Sequence, residues 1–162
     1  MISGSNSIKG AYSGSGSYTP YLYTDHTVIA LSPNHPYRIT FQYKILAAPD
    51  KGFAVLFYSP TGQLSAFHND HRPSGTTGTA ALTNMLGPYA DYLVNWNIFG
   101  IGVIAIDNIQ ITDGVTGSLV VSENAETLAP NVGSGLRLNG AAVVTDPSLW
   151  SPGRHLSGSK FG

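Results

Sequence analysis

Cysteine is absent from this 162-residue sequence. That excludes disulfide staples, thiolate zinc sites and a cysteine nucleophile. It does not exclude a stable single core, because a chain of about 150 residues buries roughly 70% of the surface its unfolded form exposes. Charge is the second scarcity: charged residues make up 10% of the chain, where an ordinary soluble domain has about 25%. The net charge is −1, with acidic and basic residues scattered. There is no basic stripe to neutralise phosphates, so nucleic acid is not an expected partner. Nor is there a polybasic run for an anionic membrane, and no apolar stretch reaches the roughly 18 residues that would insert into one. Met1 is followed by neither a charged n-region nor an apolar h-region, so no signal peptide is expected. Glu, Lys and Arg, which usually clothe helices, are also few.

Ser, Thr, Asn, Gln and Gly therefore have to make the surface polar. Such neutral surfaces suit secreted and cell-surface proteins that meet uncharged partners, and an extracellular or cell-surface setting is expected. No window sustains apolar spacing at i, i+3, i+4, i+7; short alternating runs punctuated by Gly, Pro, Asn and Asp occur throughout. The runs read as strands are Ile8–Tyr12, Tyr21–Thr24, Val28–Leu31, Tyr37–Leu46, Phe53–Tyr58, Thr79–Thr83, Tyr89–Phe99, Val103–Thr112 and Leu119–Ser122, with shorter ones at Leu136–Leu138 and Ala142–Val144. A long polar loop is expected over Gln63–Gly78. In Tyr37–Leu46, Tyr37, Ile39, Phe41, Tyr43 and Ile45 share one face and Arg38, Thr40, Gln42 and Lys44 the other, which is antiparallel patterning with one wet face. In Val103–Thr112 the parity changes between Ile104, Ile106 and Ile109, Ile111. A β-bulge at Asp107-Asn108 would keep all of them in the core. Many short strands without helical pattern between them predict an all-β, two-sheet antiparallel sandwich or jelly roll.

Three stretches carry a family resemblance: Ser7–Gly10 (Ser-Ile-Lys-Gly), Leu31–Lys44 with its Tyr-x-x-x-Phe-x-Tyr strand, and Gly102–Ile111 with Ile-Asp-Asn-Ile. Together they resemble the galactose-binding-domain-like jelly-roll carbohydrate-binding modules that accompany bacterial glycoside hydrolases. The resemblance spans roughly Ile8 to Thr112. It implies a module that binds a polysaccharide or glycan. It also implies a structural calcium held by the Asp of the Asp-Asn bulge and a Glu of the opening strand, here Asp107 and Glu126. Calcium takes 6–8 oxygens, so two carboxylates with backbone carbonyls suffice. The alternative reading is that Asp107 caps a turn and Glu126 is solvated.

The order of the pieces departs from the family. The Asn-x-x-Glu-type strand that usually precedes the Ser-Leu-Lys-Gly-type strand is missing ahead of Ile8; an Asn-Ala-Glu stands instead at Asn124–Glu126. A single domain over 1–162 is therefore expected, with 118–162 supplying the strands that usually open such a module. This can happen within one chain, as a circular permutant, or between chains, as a strand-swapped homo-oligomer. Closure within the chain is favoured, because Asp113, Gly114 and Gly117 can reverse the chain before Leu119.

For the ligand, an aromatic platform with nearby amides matches the apolar faces and polar edges of sugar rings. The candidates are Tyr18, Tyr21, Tyr23, Gln42, Asn95, Asn97 and Trp150, with packing in the sheets as the bland alternative for the tyrosines. His68-Asn69-Asp70-His71 offers metal-ligating types but reads as a solvated loop. Catalysis is not expected: no carboxylate pair is evident for glycoside hydrolysis, no Gly-x-Ser-x-Gly elbow and no phosphate-cradling loop. A structural or adhesive surface module without a sugar ligand is the second reading, and a small β-sandwich hydrolase or lyase the third.

Overall fold

The computed structural model describes residues 6–13, 19–61, 63–126, 135–139 and 142–145. Among them, eleven strands run in chain order: β1 Asn6–Tyr12, β2 Thr19–Thr24, β3 Pro36–Ala47, β4 Phe53–Ser59, β5 Gln63–Asp70, β6 Thr77–Met85, β7 Leu93–Ile98, β8 Gly102–Asp113, β9 Leu119–Glu123, β10 Leu136–Leu138 and β11 Ala142–Thr145. No α-helix occurs among the described residues. Sheet A has the order β11-β1-β8-β3-β6, with β9 also on β8; sheet B has the order β10-β2-β7-β4-β5. Every described pairing is antiparallel.

Alternation decides which side of each strand is dry. β3 buries Tyr37, Ile39, Phe41, Tyr43 and Ile45 against Phe53, Val55 and Phe57 of β4 and Val94 and Trp96 of β7. Rings interlock across the layers: Trp96 meets Phe41 edge-on with centroids 6.3 Å apart, and Phe53 lies 5.1 Å from Tyr43. Such tilted and T-shaped pairs are favoured by the ring quadrupoles.

β8 is the pivot of sheet A. Along one edge it pairs with β3. Along the other it pairs with β1 from Ile106 back to Gly102, and with β9 from Ile109 to Thr112. Between these halves the register against β3 slips by one residue, Thr40 facing Gln110 but Gln42 facing Asp107, and Asn108 has φ 49°. This is the expected bulge, and Ile104, Ile106, Ile109 and Ile111 are all fully buried. The β8–β9 turn closes with Gly117 N–H donating to the Asp113 carbonyl at 3.0 Å, and Gly117 takes φ 74°, which glycine adopts without steric cost. β9, β10 and β11 pair with β8, β2 and β1 of their own chain.

Two expectations fail. Gln63–Asp70 is a strand, paired with β4 from Phe53↔Asp70 to Ser59↔Gln63; an edge strand needs only one partner, and its polar composition disguised it. Val28–Leu31 is no strand. Val28 and Ile29 N–H donate to the Asp25 carbonyl in a turn, and only Leu31 bridges to Tyr92.

Candidate functional site

The outward face of sheet B gathers part of the expected ligand set. In β7, Trp96 and Ile98 point into the core, so Asn95 and Asn97 point out. In β2, Leu22 points in and Tyr23 out; in β10, Leu136 points in and Arg137 out. The registers place Arg137 opposite Tyr23, Tyr23 opposite Asn95, and Asn95 opposite Leu56. Three strand spacings make this row about 14 Å long. Tyr23, Asn95 and Arg137 are half-buried, while Leu56 at the β4 end of the row is buried.

The charge in this row is neutralised locally. Arg137 NH2 lies 3.0 Å from Asp25 Oδ2. Asp25 also accepts from the Thr27 hydroxyl at 2.6 Å and the Thr27 N–H at 2.9 Å. These Thr27 bonds first, and Arg137 after them, hold the Asp25 carboxyl below its ordinary range.

Three of the sequence candidates need correction. Tyr21 is 1% exposed and is no platform. A register shift between Pro20 and Leu22 puts a bulge at Tyr21 and turns its ring inward onto β1. A Cβ added at Gly10 would stand 2.3 Å from that ring, so the glycine makes room for it. Gln42 lies on the outward face of sheet A, on the opposite side of the sandwich, and its Oε1 accepts from Asn108 Nδ2 at 2.7 Å. Asn97 shares the outward face of sheet B but is fully buried between Ala54 and Pro20, and neither its amide nitrogen nor its oxygen has a hydrogen-bond partner among the described residues. It is closed to a ligand unless its surroundings move. Tyr18 and Trp150 lie outside the described residues. The sequence reading missed Arg137 and Asp25, whose signal would have been the pairing of β10 with β2.

A second cluster sits where β1 and β9 meet over the bulge of β8. Asp107 is 1% exposed; its Oδ1 accepts the Asn108 N–H at 2.7 Å, and its Oδ2 has no partner among the described residues. Glu126 Oε1 accepts the Asn6 N–H at 2.8 Å, tying the chain after β9 to the start of β1. Glu123 Oε1 accepts the Ala125 N–H at 2.8 Å, with Ala125 at φ 61°. Burial, with the negative charges of Glu126 and Glu123 and against the Asn108 N–H, pushes the Asp107 carboxyl up to about 6. An orphaned buried carboxylate oxygen facing further carboxylates fits a cation. Among the described residues, however, no three His, Asp or Glu side chains are grouped closely enough to hold a metal ion by themselves. Backbone carbonyls would have to complete any such site. Asp70, from the histidine-flanked segment, instead accepts from the Tyr43 hydroxyl at 2.9 Å and pairs with Arg72 at 3.3 Å.

No family model matches the sequence, and no curated protein matches it. Solved structures do. The carbohydrate-binding module of PbXyn10C, in its apo form, is similar with a TM-score of 0.55 at 16% identity, over 89% of this chain and 90% of that one. A family 16 carbohydrate-binding module is similar with a TM-score of 0.46 at 15% identity, over 68% of this chain and 79% of that one. The enzymatically active domain of tailspike protein 4 of bacteriophage CBA120 is similar with a TM-score of 0.46 at 20% identity, over 65% of this chain; this chain spans only 15% of that one. The first likeness establishes the fold alone: a two-sheet jelly-roll β-sandwich.

Proposed function

We propose that this chain is a non-catalytic carbohydrate-binding module, of extracellular or cell-surface setting, that holds a neutral polysaccharide or glycan across the outward face of sheet B. The observation that supports it is the cross-strand row of Tyr23, Asn95 and buried Leu56, closed at the β10 end by the neutral Asp25–Arg137 pair. A tyrosine ring offers a face for the C–H side of a sugar, and an amide offers both a donor and an acceptor to its hydroxyls. Because the one ion pair in the row is internally satisfied, it leaves no net charge to be matched by an acidic or basic ligand. The carbohydrate-binding modules of similar fold agree with this reading. Shallow stacking sites bind weakly, with Kd on the order of 10–1000 μM. The test is affinity electrophoresis and a glycan array with the wild-type chain and Tyr23→Ala. Retention lost in the variant supports the site; binding that Tyr23→Ala leaves intact, or product released from any glycan, overturns the reading.

The same reading includes residues 118–162 in the module and a structural calcium at Asp107 and Glu126, with carbonyl oxygens of the bulge filling the shell. The support is the partnerless Asp107 Oδ2. Calorimetric titration with calcium, on wild type and Asp107→Asn, tests it.

A further inference from the structure

The β5–β6 side of the sandwich combines two features that the glycan reading does not use. First, β6 ends sheet A, pairing with β3 from Pro36↔Met85 to Lys44↔Thr77, and no other described strand pairs with it. Soluble proteins usually blunt such edges with charge, proline, bulges or shortness. The edges formed by β10 and β11 are short, with 3 and 4 residues. β6 has 9 residues, Thr-Gly-Thr-Ala-Ala-Leu-Thr-Asn-Met, none of them charged or proline, and its register against β3 is unbroken. Its exposed side chains at Thr77, Thr79, Ala81 and Thr83 are small, which leaves room for another backbone to approach. Second, large apolar side chains are exposed at the end of this edge: Met85 at 57%, Leu64 at 55% and Tyr89 at 40%. They are carried on a pinned backbone. The Ser65 hydroxyl donates to the Met85 carbonyl at 3.4 Å and accepts the Gly87 N–H at 3.0 Å, and Asn84 Nδ2 donates to the Ser65 carbonyl at 2.9 Å. Leu86 and Tyr92, on either side of Tyr89, are buried.

We propose that this edge docks a second copy of the same chain, β6 against β6, antiparallel about a two-fold axis at Ala81. The strand is self-complementary in that register. Ala81 faces Ala81 and Thr79 faces Thr83, so no like charges meet and no bulky pair collides; at Met85 the edge is already held by the Ser65 hydroxyl, which bounds the pairing there. A second β6 supplies hydrogen-bonding groups that match this edge and brings no charged side chain of its own to it. Sheet A continues from one copy into the other, and the Met85–Leu64 end of each lies beside the Thr77 end of its neighbour.

The absence of cysteine makes the register directly testable. Opposed residues in an antiparallel pair have Cα atoms about 4.5–5.5 Å apart, inside the roughly 4.4–6.8 Å that a disulfide spans. Ala81→Cys should therefore oxidise quickly to a covalent dimer. Val28→Cys, equally exposed in the β2–β3 turn, should do so only at the rate of random collision. In sedimentation velocity the wild type should associate with rising concentration. Thr79→Lys and Ala81→Lys, which restore a charged edge, should weaken association at least tenfold with unchanged circular dichroism and melting. A wild type that stays monomeric at every concentration overturns the proposal, as does Ala81→Cys cross-linking no faster than Val28→Cys. If one lysine variant fails to fold, Met85→Lys provides the same reading from the end of the edge.

Discussion

The two outward faces of the sandwich carry residues of similar type and differ in how wet they are. On sheet A, β3 presents Arg38, Thr40, Gln42 and Lys44, flanked by Thr77, Thr79, Ala81 and Thr83 of β6 and by Gln110 of β8. These positions are exposed or half-buried, and neither Arg38 nor Lys44 has an acidic partner among the described residues. On sheet B, Ala54 and Asn97 are fully buried, Leu56 nearly so, and Tyr23 and Asn95 half-buried, with Arg137 already paired to Asp25. Covering sheet A would strip water from two unpaired cations. Covering the Tyr23–Asn95 row of sheet B would strip it from an aromatic ring, an amide and a cation already paired to Asp25. Desolvating unpaired charge costs far more than desolvating a phenol, which is why the proposed reading puts an uncharged ligand on sheet B.

The largest effect would come from removing what completes both faces. Residues 118–162 supply β9 and β11 to sheet A and β10 to sheet B. Cutting after Gly117 would leave β1, β2 and half of β8 with unpaired edges, and would remove Val121, Ala125 and Leu136 from the core. Buried backbone groups without partners are rarely tolerated. The 1–117 fragment should be unfolded or insoluble by circular dichroism; a cooperative thermal transition in it would show that the two faces stand without the tail.

Next in size is the contrast between two tyrosines two residues apart. Tyr21→Ala empties a core site and should cost about 3–5 kcal/mol, as large aromatic truncations do, read by urea denaturation. Tyr21→Phe should be tolerated, because the hydroxyl it removes has no partner. Tyr23→Ala should change stability by less than about 1 kcal/mol. If the sheet B face binds the glycan, Tyr23→Ala and Asn95→Ala should each weaken retention about tenfold, or about 1.4 kcal/mol. Gln42→Ala, on the other face, should leave retention unchanged. Equal losses from Gln42→Ala and Asn95→Ala would erase the distinction between the faces.

Much of this was legible in the sequence where a strand is dry on one side. β3 and β7 alternate cleanly, and the phase change in β8 located its bulge because four isoleucines had to stay inside. Tyr21 eludes strict alternation because a bulge in β2 shifts parity by one, so that it and the next residue, Leu22, both point inward. Gln42 was grouped with Asn95 because a one-strand pattern says which residues face outward and not from which sheet. β5 was read as loop because an edge strand can be polar. Arg137 went unnoticed because a three-residue strand has too few positions to show a period.

The smallest effect concerns Asp107, the buried acid beside Gln42 on the otherwise wet outer face of sheet A. Its carboxyl is pushed from 3.8 up to about 6 in the fold, by burial first and then by Glu126 and Glu123. Between these values the native state holds a proton that the unfolded chain has released, so stability must fall as pH rises through that window. Nearby solvent screens part of the shift, and the change should be about 1 kcal/mol. Asp113 works in the opposite direction and elsewhere: N–H groups of Thr116 and Val115, and then His35, hold it down to about 2, so its contribution is lost only as pH falls from 3.8 toward 2. Melting temperatures taken from about pH 4.5 to pH 7 therefore isolate Asp107 from Asp113, and Asp107→Asn should flatten the slope relative to wild type. A bound calcium would compensate the ionised carboxylate. Adding it should raise the wild-type melting temperature at pH 7 by more than at pH 4.5, and should not move Asp107→Asn. An identical pH slope in the two proteins would show that the burial of Asp107 carries no net electrostatic cost.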